Sequence, residues 1–424
     1  MLRQDCTRTV RQLVVPFRDR LLPIVLCQTV GLGCGLAGVK LTTHLIAPAD
    51  YGAYGVFLTF TPLGIWVVHV GVIKYLGRYW ASTTNKADLL RNVLFSSFRK
   101  LPWLALATFA ASLTLTGHTL AVWPLLFVGA ALLSIASLTQ TALQAERSHW
   151  SDFAVSTTAS LTRSFVPPLL YAAGGSLLAL ESGYCLHTLA FAAAGLWCQR
   201  VYLRKTPTPP RPLDSIYEGP LFVSLAIAGW AAGAMNRWMM AAFFGPLMAG
   251  YFTLASNLSI IVTGMLSLIF VQFFQPSFFA AASEETSARL KLASRVDRVV
   301  ASYWALAMLG IVLLHLAAPL LVGRLISENY RGALGWLLPA GSFGIALSTG
   351  QFFHVMLLAG KREKGCGPVD FTAFAVLAAG CLIAALAGEE WFWRWLTVSP
   401  LIPWIVNRPL ARHYYFRQPL IPGP

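Results

Sequence analysis

The apolar residues of this chain are gathered into successive runs, each about 18–25 residues long and so able to cross roughly 30 Å of hydrocarbon as a helix. That pattern constrains the fold more than any other feature. Lipid offers the backbone no hydrogen-bond partners, so only helices and closed barrels span it. The short alternating segments of a barrel do not dominate here. Apolar residues make up 56% of the chain and charged residues 12%, with a mean hydropathy of +0.62, which leaves too little polar surface for a soluble protein of this length. The expected fold class is an all-α polytopic membrane protein.

Twelve spans are expected, at residues 21–46, 51–73, 101–117, 119–143, 153–174, 176–198, 219–244, 249–275, 299–322, 334–358, 368–387 and 390–410. The stretch Lys205–Pro220 separates six from six; its prolines forbid a helix and favour a semi-rigid connector. The expected organisation is a basic arm (1–20), a six-helix lobe (21–204), the Pro-rich linker (205–220), a second six-helix lobe (221–410) and a tail (411–424).

The net charge of +15 could suggest nucleic acid, but its placement points elsewhere. Basic residues crowd the N-terminal arm, the 74–100 segment, Arg200–Arg211, Arg289–Arg298, Lys361–Lys364 and Arg408–Arg417. All lie on alternate loops, while the opposite loops hold only Arg324 and Arg331. By the positive-inside rule both termini are expected in the cytoplasm, and contact with anionic membrane lipids is a by-product. No nucleic-acid partner is expected. The first twenty residues lack an apolar core, so the first span should act as its own insertion signal. An Arg-rich start also resembles a mitochondrial presequence, a reading that Asp5 and Asp19 weaken. The seven cysteines are scattered without a paired motif and read as small apolar fillers.

Residues 44–100 reappear in pattern at 242–298, at a constant offset of 198 with no gap. Pro48 falls on Pro246, Gly52 on Gly250, Tyr54 on Phe252, Tyr75 on Phe273, Trp80 on Phe278, Arg91 on Arg289 and Lys100 on Arg298. Internal repeats of this size in a membrane chain are a signature of transporters. The first and second spans become counterparts of the seventh and eighth and enter the membrane in the same sense. A pseudo-twofold axis along the membrane normal is therefore expected. The polar segments 80–100 and 278–298 mix charge with apolar residues at helical spacing, and each should form an interfacial helix or extend a span.

Ionisable groups at membrane depth cost roughly 2.5–3.5 kcal/mol each on insertion scales and usually mark function. Lys40, Arg163 and Arg237 are the basic ones, while Arg394 is close enough to a span end to snorkel. Lys40 aligns with Trp238, the neighbour of Arg237, so the two cations lie at nearly matching depth on counterpart spans. Either a shared cationic cavity or snorkelling to the outer interface accounts for them. Arg163 precedes Pro167 and Pro168, which free backbone carbonyls that its guanidinium could satisfy. His44, one turn after Lys40, shares its face. Asn236 and Gln28 read as interhelical hydrogen-bond partners or as ligands.

No acid stands out at membrane depth: Glu181, Glu389 and Glu390 lie near span ends, and Asp50 and Glu328 in loops. An unpaired cationic cavity attracts an anion, and arginine's fork of donors suits phosphate. No nucleophile–base set, metal cluster or nucleotide fingerprint appears, and the outward loops are too short for an external domain. Neither catalysis nor a cofactor or metal is expected.

Pro48-Ala-Asp-Tyr-Gly-Ala-Tyr54 after the first span, Asn236-Arg-Trp followed by Gly245-Pro and Gly250-Tyr251, Glu328-Asn-Tyr330 and Gly360-Lys-Arg-Glu363 together resemble polysaccharide-type flippases of the MOP (multidrug/oligosaccharidyl-lipid/polysaccharide) superfamily. The resemblance covers nearly the whole chain through short motifs. It implies a two-lobed bundle working by alternating access in the bacterial inner membrane. The implied cargo is an anionic lipid-linked oligosaccharide of the undecaprenyl-pyrophosphate type, and other polysaccharide-assembly proteins are candidate partners. Arg237 matches the arginine of the family's seventh span, whereas Asn236 stands where many members carry Asp. Lys40, Arg163 and His44 are added to Asn236 and Arg237 as substrate-binding candidates on charge placement alone. The alternatives are a drug/cation antiporter of the same fold and a membrane glycosyltransferase or polymerase.

Overall fold

The computed structural model describes residues 22–69, 76, 80, 83, 85–115, 119–146, 148–203, 220–281, 286–360 and 362–416. The basic arm, almost all of the Pro-rich linker and the last eight residues of the tail lie outside the described residues. Among the described residues the chain is helical, with a single isolated bridge, Val322 to Ile326, in place of any strand. Eight helical segments are long and apolar enough to cross a membrane. The chain is a multi-pass membrane protein.

Helices α1 (Leu22–Leu45), α5 (Thr119–Ala145) and α7 (Leu177–Cys198) cover the expected first, fourth and sixth spans, while α2 (Pro48–Phe60) and a π-helical segment Gly64–His69 account for the described part of the second. The third shrinks to α4 (Leu101–Ser112), 12 residues. The fifth becomes α6 (His149–Gly174), a 26-residue helix too rich in Ser, Thr and charge to count among the eight. Helix α6 continues through Pro167 and Pro168.

The seventh and eighth spans appear as one run, α9 (Pro220–Ala281). A straight helix of its 62 residues would measure about 93 Å, three times the hydrocarbon thickness. The break is at Gly245, whose φ of 86° suits glycine alone. Helices α10 (Thr286–Leu321), α11 (Leu337–Ala359, after a 3₁₀ segment Glu328–Trp336) and α12 (Glu363–Ala387) follow. The expected twelfth span is broken into α13 (Glu389–Val398), a π-helical turn Pro403–Asn407 and α14 (Arg408–Phe416).

The chain folds as two compact units, Met1–Ile46 with Phe57–Val223, and Ala47–Val56 with Ser224–Pro424. In the first unit α7 packs on both α5 and α6, and α6 packs on α1. The segment expected at 80–100 forms α3 (Lys86–Arg99), capped by Asn85, whose side chain accepts from the Asp88 amide. Its buried face (Leu89, Leu90, Val93) packs with Leu76 and Trp80 on Leu138 and Ala142 of α5. The matching segment at 278–298 is divided between the end of α9 and the first turns of α10, which it extends. In the second unit Val296, Tyr303, Phe352, Phe353, Val369 and Tyr415 close a core between α10, α11, α12 and α14.

The ten residues that leave the first unit for the second do so for a local reason. A β-carbon on Gly52 would overlap the Pro246 carbonyl, and one on Gly250 would overlap that of Pro48. Helix α2 can lie this close to α9 only with glycine at both places. Next along, Gly55 faces the Thr253 side chain. All three pairs are counterparts or near-counterparts in the 198-residue repeat, so the repeated segments cross on themselves.

Candidate functional site

In the second unit, Asn236 is buried and accepts the Arg237 backbone amide at 2.8 Å on its side-chain oxygen. The Arg237 guanidinium donates to the Asn257 side-chain oxygen at 3.3 Å. Asn257 in turn donates to the Tyr51 hydroxyl at 2.7 Å. The turn at Gly245 brings residue 257 back alongside 237, and the Gly52–Gly250 crossing brings Tyr51 to the same place. Tyr51 stands edge-on to Tyr330, which is edge-on to Tyr251. Asn257 and Tyr51 are thus contacts of Arg237, direct and at one remove, that the predicted set does not name. Tyr51 belongs to one of the sequence motifs, but nothing linear connects it to Asn257.

In the first unit, Lys40 and His44 do share a face of α1, and both are exposed. The His44 ring bonds the Lys40 backbone carbonyl at 2.8 Å rather than the ammonium. The Lys40 ammonium has no hydrogen-bond or ion-pair partner among the described residues. Arg163 is exposed and lies near enough to Tyr184 and His187 to act on both electrostatically. It makes no bond to the backbone carbonyls around Pro167, so the capping role suggested by the prolines has no support. His187 is a buried histidine satisfied by Thr162 at 2.8 Å, and Tyr184 bonds Thr61 at 3.1 Å. Gly38 packs on Ser164, which puts Lys40 and Arg163 on neighbouring helices near the same contact.

Two acids, one unnamed and one set aside in the sequence reading, are held within the helix packing. Asp370 lies inside the apolar stretch Gly365–Ala387 and pairs with His354 of α11 at 2.9 Å; the two side chains are 15% and 23% exposed. Each is eight residues from Arg362 (362 − 354 and 370 − 362), so folding the α11–α12 hairpin about its loop brings them level. Glu181, one turn into α7, is also buried, and one carboxyl oxygen finds no partner. Among the described residues no group of His, Cys, Asp and Glu is arranged to hold a metal ion.

Comparison by sequence finds no matching family model and no matching curated protein. Comparison by structure finds clear likeness. A multidrug resistance MATE family transporter of the MOP superfamily, in an inward-facing conformation, aligns with a TM-score of 0.61 at 14% identity over 92% of this chain and 94% of its own. The lipid II flippase MurJ, in an inward closed conformation, aligns with a TM-score of 0.63 at 10% identity over 94% of this chain and 87% of its own. A MOP superfamily transporter from Pyrococcus furiosus, described as having a binding pocket of reverse polarity, aligns at 0.55 and 13% over 94% and 95%. Identities this low establish a shared fold and nothing finer. The chain has the fold of MOP superfamily transporters.

Proposed function

We propose that the chain is an inner-membrane flippase that carries a lipid-pyrophosphate-linked oligosaccharide from the cytoplasmic to the outer leaflet, with both termini cytoplasmic. The observation that carries the reading is the pair of intramembrane cations without counter-charge: Lys40 and Arg163 have neither ion pair nor hydrogen bond among the described residues. Arg237 supports it as a further cation on the counterpart span, its guanidinium held by the Asn257 side-chain amide. Such groups attract an anion, and a membrane-embedded anion with a sugar load is a lipid phosphate or pyrophosphate. Likeness in fold to a protein named as a lipid II flippase makes the reading economical. In this reading two six-helix lobes alternate access about the Pro-rich linker. The candidate pyrophosphate ligands are Lys40, Arg163 and His44 in the first unit and Arg237 and Asn236 in the second, and no bond of the cargo is made or broken.

A second reading, a drug/cation antiporter, gains from one observation: Asp370 and Glu181 supply the acids that such a carrier needs. Deletion of the gene separates the two. The flippase reading expects loss of surface polysaccharide with accumulation of undecaprenyl-linked intermediates, unchanged drug sensitivity, and no rescue by Lys40→Ala/Arg237→Ala. Intact polysaccharide in a strain with no redundant flippase, or full rescue by that double variant, would sink it.

A further inference from the structure

The cytoplasmic end of the second unit holds basic groups that differ from ordinary positive-inside residues. Most such residues point to water. Here three donors do not: the Arg362 Nε–H, the Arg412 Nε–H and the Tyr415 hydroxyl are buried with no hydrogen-bond partner among the described residues. Tyr415 is 1% exposed.

Three chain segments converge on these donors. Arg289, Ala293 and Asp297 recur every four residues and share one face of α10. Arg408, Arg412 and Tyr415 share one face of α14. Asp297 ties the two helices together, accepting from Arg408 at 3.1 and 3.0 Å and from Arg412 at 2.5 Å. One turn nearer the cytoplasm, the Tyr415 ring lies so close to Gly360 that a β-carbon there would overlap it, and Gly360 is two residues from Arg362. Arg289 and Arg362 both act electrostatically on the Tyr415 hydroxyl, and burial still pushes that phenol up against their pull.

The charge balance is one-sided. Among the described side chains four arginines meet one carboxylate, and Asp297 is already shared between two of them. Arg289 and Arg362 have no carboxylate partner among the described residues. The missing acceptor is thus an oxyanion able to take several N–H and O–H donors at once, which is the chemistry of phosphate.

Position selects the source. The apolar stretches Arg289–Leu321, Glu328–Ala359 and Gly365–Ala387 each have one end at this corner, and the ends of apolar spans are where anionic headgroups meet a membrane protein. We propose that Arg289, Arg362, Arg412 and Tyr415 bind the phosphate of an anionic phospholipid headgroup of the cytoplasmic leaflet. The ligand reaches the buried donors from the side of Arg408 and Arg412, whose side chains are each 34% exposed, as Tyr415 turns its hydroxyl outward. The site belongs to the second unit alone and does not depend on the nature of any cargo.

The test uses the full chain in nanodiscs of phosphatidylcholine doped with phosphatidylglycerol or cardiolipin, with retained lipid counted by native mass spectrometry. Wild type should retain anionic lipid over phosphatidylcholine. Tyr415→Phe, which keeps the ring, and Arg362→Gln should each weaken retention about tenfold, the effect of losing one charge-assisted hydrogen bond. Their melting temperatures in pure phosphatidylcholine should equal that of wild type, which separates lost binding from lost folding. Equal retention by both variants and wild type would overturn the proposal. So would displacement of the lipid by millimolar inorganic phosphate, which would make the site one for a free anion.

Discussion

Gly52 of α2 and Gly250 of α9 are reciprocal: each lies where a β-carbon would strike the carbonyl of the proline preceding the other, Pro246 or Pro48. They are counterparts in the internal repeat, so one close approach is made twice by the same local chemistry. Gly52→Ala and Gly250→Ala should each destabilise the protein by about 1–3 kcal/mol through overpacking against rigid backbone. Gly33→Ala, where a β-carbon meets nothing within 4 Å, should be neutral or gain up to about 1 kcal/mol from helix propensity. Melting temperatures in one detergent would decide, and equal loss at all three sites would refute the close crossing.

The chain Arg237–Asn257–Tyr51 joins two expected functional regions through a residue the sequence does not mark. Asn257→Ala and Tyr51→Phe should be non-additive by about 1 kcal/mol in a double-mutant cycle on thermal stability. Arg237→Lys should not restore Arg237→Ala in complementation, because an ammonium cannot reproduce the guanidinium fork. Strict additivity, or full rescue by lysine, would count against the arrangement.

His354 and Asp370 form a partly buried pair at 2.9 Å. Removing one partner strands the other, so Asp370→Asn and His354→Leu should each cost about 1–3 kcal/mol. The double change to apolar residues of similar size should cost less than the sum of the singles. Stability measurements on the three variants would show this, and additive losses would deny the pairing.

Tyr202 follows the last turn of α7 and donates to Glu146, which also receives Lys86 at 3.4 Å. The bond to the carboxylate, then burial, then the Glu146 charge push the phenol up to about 12. The folded-state value lies above the unfolded value of about 10, so the stabilisation is complete below pH 10 and is lost as pH rises through 12. Tyr202→Phe should lower stability at neutral pH by about 1 kcal/mol. It should also flatten the alkaline limb of stability against pH and remove a late-titrating tyrosine from the ultraviolet titration. An unchanged alkaline limb would refute the bond.

The candidate site was partly legible. Lys40, Arg163 and Arg237 stand out because an apolar run makes any charge conspicuous. The Arg237 partner Asn257 does not stand out, because it is an ordinary residue until folding brings it there. Asp370 was overlooked for the opposite reason: an acid near a span end looks like a boundary residue, and only its packing on α11 shows a pair.

By itself the sequence determined that this chain lives in a membrane, where most of its long apolar helices run and that residues 44–100 and 242–298 share one pattern. Those properties depend on local hydrophobic length and on periodicity, which any window of residues carries. It also foretold a turn near residue 245, since Gly245-Pro246 interrupts an apolar run. The tertiary structure alone decided that the N-terminal part of α2 joins the second unit and that His354 meets Asp370. It also decided that Arg362, Arg412 and Tyr415 hold donors with nothing to receive them. These depend on contacts between residues far apart in the chain, set by where a missing side chain lets two backbones touch. The Gly52–Gly250 crossing contains both lessons: the repeat announced the counterparts, and only close packing showed that they meet.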